Sequence, residues 1–469
     1  MPPRLTIGSI ALGTGKSPST FARQDDGSPF RILLMADFSA APMPRHAITK
    51  PVRVDLDNFD DVFARFSAKL ELQIGTETFV LEPRSLADLH PDGLFQLDCF
   101  ERLRDLRARL ANPKSFATAL PELHTLTGES PKPTETAAPS PAPPGEAEDQ
   151  MFERLLGRPK SSPASAPAVP AVQALLREAV AGNVAAANAT DQQSAIAALD
   201  SVIAARMSAL LHAPAFQALE AAWRGLDFLV HRLELDDSLQ LFALDVSAAH
   251  LREPSISRAI SEALTLRDES GWSILVGDFS FANSADDAKA LEWIASVAQK
   301  HNALFVAAAD TALIDLINRR ELHWPEEWDA LRRSPSAQSV SLLTPQFMLR
   351  LPYGAKNEPI ESFDFEEMPS SPAVTHYLWG NPALLAACAL GNAFTESGET
   401  NPTGPLEVGG LPLHVYREDG ESKMTACAER WLNDGELDAL LANGISAVVT
   451  LRGSDAVRLL LHSIITSRK

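Results

Sequence analysis

The stretch GWSILVGDFSFANSADDAKALEWIASVAQKHNALFVAAA, Gly271 to Ala309, decides the fold class. Its two apolar runs, Ser273–Val276 and Ala303–Ala308, are continuous rather than alternating, as expected of strands covered on both faces. Between them, Asp286–Gln299 repeats its apolar residues every three to four positions, the spacing of one helix face. Strand, helix, strand in this form is the unit of a mostly parallel sheet. The pattern extends upstream through a helix at Ser255–Leu266 and a strand at Leu239–Val246.

Two helices come before that run. Ile196, Leu199, Ile203, Met207 and Leu210 form one apolar stripe, and Phe216, Leu219, Trp223, Leu226 and Val230 a second, separated by Pro214. Downstream, Val340–Leu351 and Leu411–Tyr416 read as strands. The spacing then predicts a helix at Asn433–Leu441, a strand at Ile445–Leu451 and a helix at Asp455–Ile465.

The N-terminal part also mixes strands and helices. Arg31–Ala36 reads as a buried strand, and Leu70–Ile74 and Thr78–Leu81 as two more. Phe59–Phe66 has helical spacing with Asp57 or Asn58 available as cap. Leu97, Phe100, Leu103, Leu106 and Leu110 fall on one stripe of a helix. Between the two parts, Pro131 to Pro170 holds ten of the chain's 34 prolines, with Ala, Ser, Glu and Thr around them. Such a composition cannot bury enough apolar surface to offset its ordering entropy, so an extended linker is expected. One island, DQMFERLLG at 149–157, sets Met151, Phe152, Leu155 and Leu156 on one face of a short helix. Either it packs on its own domain or it docks in a partner's groove.

Composition excludes several function classes. The formal charge of -20 opposes binding to a phosphate backbone or an anionic membrane. No run of about 20 apolar residues and no signal peptide is found, so a cytoplasmic protein is expected. Cys99, Cys388 and Cys427 lie far apart and share no ligand spacing with the histidines, so no metal site is expected. Gly13-Thr-Gly-Lys-Ser17 has the end of a phosphate loop, but Ile10 stands where the loop needs its first glycine, and Pro18 follows. Asp278 and Asp310 fall near strand ends, and Glu366 and Glu367 form an acidic pair; helix caps and solvated loops account for all four. His212, His376 and His462 stand isolated. No catalytic residue, no cofactor and no enzymatic activity are expected.

Six segments, in order, resemble one family. They are FQALEAAWRGL (216–226, with His212 and Pro214 before it), ILVGDF (274–279), WDALR (328–332), LRLPYG (349–354), FDFEE (363–367) and YLWGN (377–381). Together they resemble the large sheath subunit of type VI secretion, the ImpC/VipB family. MADFS (35–39), VDLDNF (54–59) and SLADLHP (85–91) resemble the small sheath subunit, the ImpB/VipA family. The resemblance implies an α/β fold of two sheath-type domains with mixed, partly parallel sheets. They would be a small-subunit-like domain at 1–128, a linker at 129–172 with a short helix at 149–157, and a large-subunit-like domain at 173–469. It makes Phe216, Trp223, Arg224, Gly225, Asp278, Arg350, Pro352, Tyr353 and Trp379 candidate packing or interface residues.

It further implies a phage-tail-like contractile sheath that assembles around an inner tube and drives protein delivery. The implied partners are other sheath subunits, the tube protein, the baseplate and the ClpV ATPase, with Met151, Phe152, Leu155 and Leu156 as the ATPase-docking helix. Two departures stand out: Gln346 replaces an arginine usual in the family, and the chain is expected to lack the family's C-terminal extension. An accessory cap or adaptor with the sheath fold, recruiting ClpV or the baseplate, is the alternative.

Overall fold

The computed structural model describes residues 28–41, 50–74, 77–127, 191–265, 271–368, 372–398 and 406–464. The strands before the Pro-rich segment are β1 (Phe30–Ala36), β2 (Val52–Val54), β3 (Leu70–Ile74) and β4 (Glu77–Leu81). After it come β5 (Leu239–Asp245), β6 (Ile274–Phe281), β7 (Leu304–Ala309), β8 (Val340–Thr344), β9 (Phe347–Met348) and β10 (Trp379–Gly380). β11 (Leu406–Val408), β12 (Val415–Glu418), β13 (Glu421–Met424), β14 (Ser446–Thr450) and β15 (Val457–Leu460) complete the set. The helices are α1 (Phe59–Phe66), α2 (Pro91–Phe95), α3 (Asp98–Ala111) and α4 (Phe116–Thr127). They continue with α5 (Asp191–Leu211), then α6 (Pro214–Arg232), α7 (Ala248–Arg252), α8 (Pro254–Ala263) and α9 (Ala285–Lys300). α10 (Ala312–Arg319), α11 (Glu326–Arg333), α12 (Pro382–Ser397) and α13 (Asp434–Ala442) follow.

Nine strands form one mixed sheet in the order β11-β15-β14-β8-β7-β6-β1-β5-β2. The six from β14 to β5 run parallel, and the edges β2, β15 and β11 pair antiparallel. The α/β reading of the sequence therefore holds. β1 lies between β5 and β6, with Ile32 opposite both Leu241 and Ile274. Its seven residues are all buried, and a strand so covered satisfies its amides and carbonyls only with a neighbour on each side.

The contacts run across the sequence segments 1–128 and 173–469 rather than along them. Contacts group residues up to Leu94 with those from Met207 onward, and set Phe95 to Arg206 apart as a second unit. The reason is β1, which comes before the Pro-rich segment but hydrogen-bonds to strands that come after it. Residues 129–172, including the expected helix at 149–157, lie outside the described residues, as does Gly13–Ser17.

Alternate side chains of β1 serve opposite faces. Leu33 and Met35 join Leu275, Phe305 and Leu342 under Leu291, Ile294 and Ala298 of α9. On the other face, Phe30 stacks on Phe394 of α12 at 4.8 Å. Ile32 reaches toward Gly391 of the same helix. α12 has no polar face over its first ten residues, all of them buried, which is why its apolar spacing carries no helical signature. Where a helix was expected at 455–465, Val457–Leu460 form β15 instead: a turn with Gly453 at φ +71° brings the chain back antiparallel to β14. The pairing covers an edge that β14 would otherwise expose.

In the second unit, Phe100, Leu103, Leu106 and Leu110 of α3 are buried. Arg107 makes a two-point ion pair with Asp200 of α5. α5 is, by length and composition, apolar enough to cross a bilayer. Yet Asp200 sits within it in that ion pair, and Ala195, Leu199, Ile203, Met207 and Leu210 form a buried stripe, as in a helix laid against protein.

Candidate functional site

The family-motif residues converge on helix α6. Pro214 starts this helix at its first turn, and nine of its residues are buried, among them the carboxylate of Glu220. A buried charge is tolerated only with partners, and here they are two arginines. Arg350 donates from Nε to Glu220 Oε1 at 2.7 Å and from its terminal nitrogens to Glu367 at 2.7 and 3.1 Å. Arg224 donates to the same Glu220 oxygen at 2.7 Å and to the Tyr353 hydroxyl at 2.7 Å. The Tyr353 amide donates to Glu367 at 2.8 Å, and its ring lies 4.1 Å below the Arg350 guanidinium. Burial alone would raise the Glu367 carboxyl, but Arg350 and its hydrogen-bond donors bring it down to about 2. Burial works against the Arg350 charge in turn, while Glu220 and Glu367 hold it firmly in place.

The cluster ties down the N-terminal segment. His90 sets its ring edge-on to Tyr353 at 4.8 Å. Asp92 accepts the amides of Glu361 and Ser362 at 3.2 and 2.9 Å. One helical turn from Glu220, the Trp223 indole donates to the Phe38 carbonyl at 2.9 Å. Phe63 stacks on that indole at 3.8 Å, and Phe38, Phe59 and Phe66 surround it within 6.2 Å. Four phenylalanines from residues 28–94 thus close on one tryptophan. Gly225 faces α12: a Cβ there would stand 2.7 Å from Leu384 Cδ1. Phe216 and Pro352 are buried close by in sequence to these groups.

Asp278 and Trp379 lie elsewhere. Asp278 sits near the C-terminal end of β6, where burial, with Asp37 adding to it, raises its carboxyl to about 6 despite a hydrogen bond from Asn381. Asn381 also donates to the Gly277 and Phe279 carbonyls and caps α12. Trp379 donates from its indole to the Val374 carbonyl at 2.8 Å. Asp310 caps the start of α10, as expected. Glu367, by contrast, is no solvated loop residue, and His212 and His376 are not isolated: their rings stack at 4.8 Å beside it. Met151, Phe152, Leu155 and Leu156 fall outside the described residues. Glu220 was missed from the sequence although a signal was available: it is a carboxylate on the apolar stripe between Phe216 and Trp223.

Among the described residues, no group of three or more His, Cys, Asp or Glu side chains could hold a metal ion. The arrangement defines an interlock that clasps two distant parts of the chain. The chain belongs to the VipB family (EvpB/VC_A0108, tail sheath N-terminal domain), whose model matches residues 193–264 and 269–463, more than half of its length. It is 29% identical over 293 residues to the type VI secretion system sheath protein TssC1 of Pseudomonas aeruginosa. That similarity covers 56% of this chain and 59% of the relative, so it spans less than two thirds of that protein.

Proposed function

We propose that this chain is a structural, non-catalytic subunit of a type VI secretion contractile sheath in which the small and large subunits are fused. The observation that carries the fusion is β1: a strand preceding the Pro-rich segment is hydrogen-bonded on both sides by strands that follow it. The Trp223 pocket and the Asp92 contacts support the same reading. A tether of forty-odd residues has a root-mean-square span on the order of 30–40 Å. It holds its two ends at millimolar effective concentration, which favours pairing within one chain.

The partners of this reading are further sheath subunits, an inner tube and a baseplate in the cytoplasm, with ClpV recruited through Met151, Phe152, Leu155 and Leu156. Negative-stain electron microscopy of the purified chain, alone and co-expressed with the separate sheath subunits of its host, tests it. Regular tubes or rings from the chain alone support a self-sufficient sheath. Particles that join filaments only when separate subunits are present make it a cap or adaptor. Discrete particles in both cases overturn the sheath role. Deleting residues 149–157 should abolish ClpV binding while assembly is retained; binding that survives the deletion sinks the docking assignment.

A further inference from the structure

We propose that two copies of this chain join head to tail at Arg332, with Leu56 and the Asp57 carboxylate of one copy seated against Arg332, Leu322 and Trp324 of the next. Such joining rests on the sheath reading, in which copies of the chain assemble.

Arg332 lies in the last turn of α11 and is only 6% exposed. Its guanidinium stands 4.0 Å from the ring centre of Trp324 and 5.6 Å from that of Trp328. Nη2 donates to the Asn443 carbonyl at 2.8 Å, whereas Nε is buried with no acceptor. Asp329, one helical turn back, favours the charge, but burial outweighs it and brings the guanidinium down to about 10. Arg350, buried as deeply, meets two glutamates. Among the described residues, no carboxylate pairs with Arg332. A buried cation left in this state is costly, and a charge-assisted bond from an incoming carboxylate offsets that cost. Apolar surface adjoins it, since Leu322 and Trp324 are only partly buried.

The complementary surface is the turn after β2. Leu56 is 63% exposed, the most exposed of the large apolar side chains among the described residues. One exposed leucine means little by itself, but this one stands on a fixed turn. Asn58 Oδ1 accepts the Asp55 amide at 3.0 Å, and Asp55 Oδ1 accepts the amides of Asp57 and Asn58 at 3.1 Å. The carboxylates of Asp57, Asp60 and Asp61 beside it are exposed. The turn thus offers both an apolar knob and a carboxylate. With 61 acidic against 41 basic residues, copies of the chain repel unless an acidic surface meets a cation.

The fold keeps the two surfaces apart. β2 is one edge of the sheet, and α11 leads into β8, five places along the order, or roughly 24 Å at ordinary strand spacing. α11 packs on α9, which covers one face. α1 stacks Phe63 on Trp223 of α6, and α6 packs on α12, which covers the other. One copy therefore cannot seat its own turn against its own Arg332. The contact is heterologous, and its repetition gives a ring or an open filament.

Thiol cross-linking and sedimentation of the full chain test the contact. In a Cys99→Ser background, chains with Asp57→Cys should link to chains with His323→Cys, and neither should link to itself. Leu56→Ser and Asp57→Lys, both at exposed positions, should each weaken self-association about tenfold or more. Arg332→Met should do the same, and Asp57→Asn combined with it should add little further loss. A purely internal role for Arg332 predicts a lower melting temperature in Arg332→Met and full association in the two turn variants. Assembly that survives Leu56→Ser and Asp57→Lys, a mixed pair that does not link, or either cysteine variant linking to itself overturns the contact and leaves the sheath reading standing. A wild-type chain that stays monomeric overturns the contact together with self-assembly.

Discussion

Residues 28–94 and residues 95–127 both precede the Pro-rich segment, yet they are stabilised in different ways. The first stretch is woven into structure built by residues more than a hundred positions away: β1 inside the sheet, Phe63 on Trp223, Asp92 on the 361–362 amides. The second belongs to the helical unit of α3, α4 and α5. Its helices bury a leucine stripe and are joined by ion pairs such as Arg107–Asp200 and Arg109–Glu122. A segment boundary visible in composition is thus not a boundary of folding. A parallel strand takes its stability from long-range partners, whereas an amphipathic helix finds its apolar complement in one or two neighbours.

Breaking the woven side should have the largest effect. Trp223→Ala removes the ring on which Phe38, Phe59, Phe63 and Phe66 close and should cost about 3–5 kcal/mol. Chemical denaturation measures the loss, and limited proteolysis should show residues 28–66 cleaved first. A loss below about 1 kcal/mol would mean that the aromatic pocket does not hold the segment. Leu106→Ala, in the helical unit, should cost about 2–5 kcal/mol and leave the exchange protection of β1 untouched. If β1 loses protection as well, the two regions are not independent.

Asp278→Asn sharpens the comparison through pH. Because burial raises the carboxyl from 3.8 to about 6, the ionised form is disfavoured in the folded chain. The wild type is penalised above pH 6 and recovers as pH falls from 6 toward 4. The variant should therefore be more stable by on the order of 2 kcal/mol at pH 7.5 and no more stable at pH 4. A gain of the same size at both values would assign the effect to packing rather than charge. The smallest change expected is Arg102→Ala, which removes the mostly exposed ion pair to Glu122. It should alter stability by less than about 1 kcal/mol, as read from thermal unfolding.

How much was legible follows from where each signal resides. The 216–230 stripe, the 286–299 helix and the leucines of α3 are local periodicities, and each helix formed within a few residues of its expected bounds. Helix α12 was silent because its first ten residues are buried and apolar all round. Residues 455–465 were misread because VRLLLHSII suits either period, and pairing to β14 decided the outcome. Glu220, Arg224, Arg350, Tyr353 and Glu367 were visible as motif residues or as an acidic pair, but not as one cluster. The Glu220–Arg350 contact alone spans 130 positions, and such a separation carries no local mark of the contact.

By itself the sequence determined the elements, the α/β class and the absence of a basic footprint, because these depend on residue type and on spacings of two to four positions. Only the tertiary structure decided that β1 enters the sheet between β5 and β6, that Trp223 receives four phenylalanines, and that Arg224 and Arg350 meet two buried glutamates. Those outcomes depend on satisfying backbone groups and charges away from water, and the partners that do so come from parts of the chain that no local pattern connects.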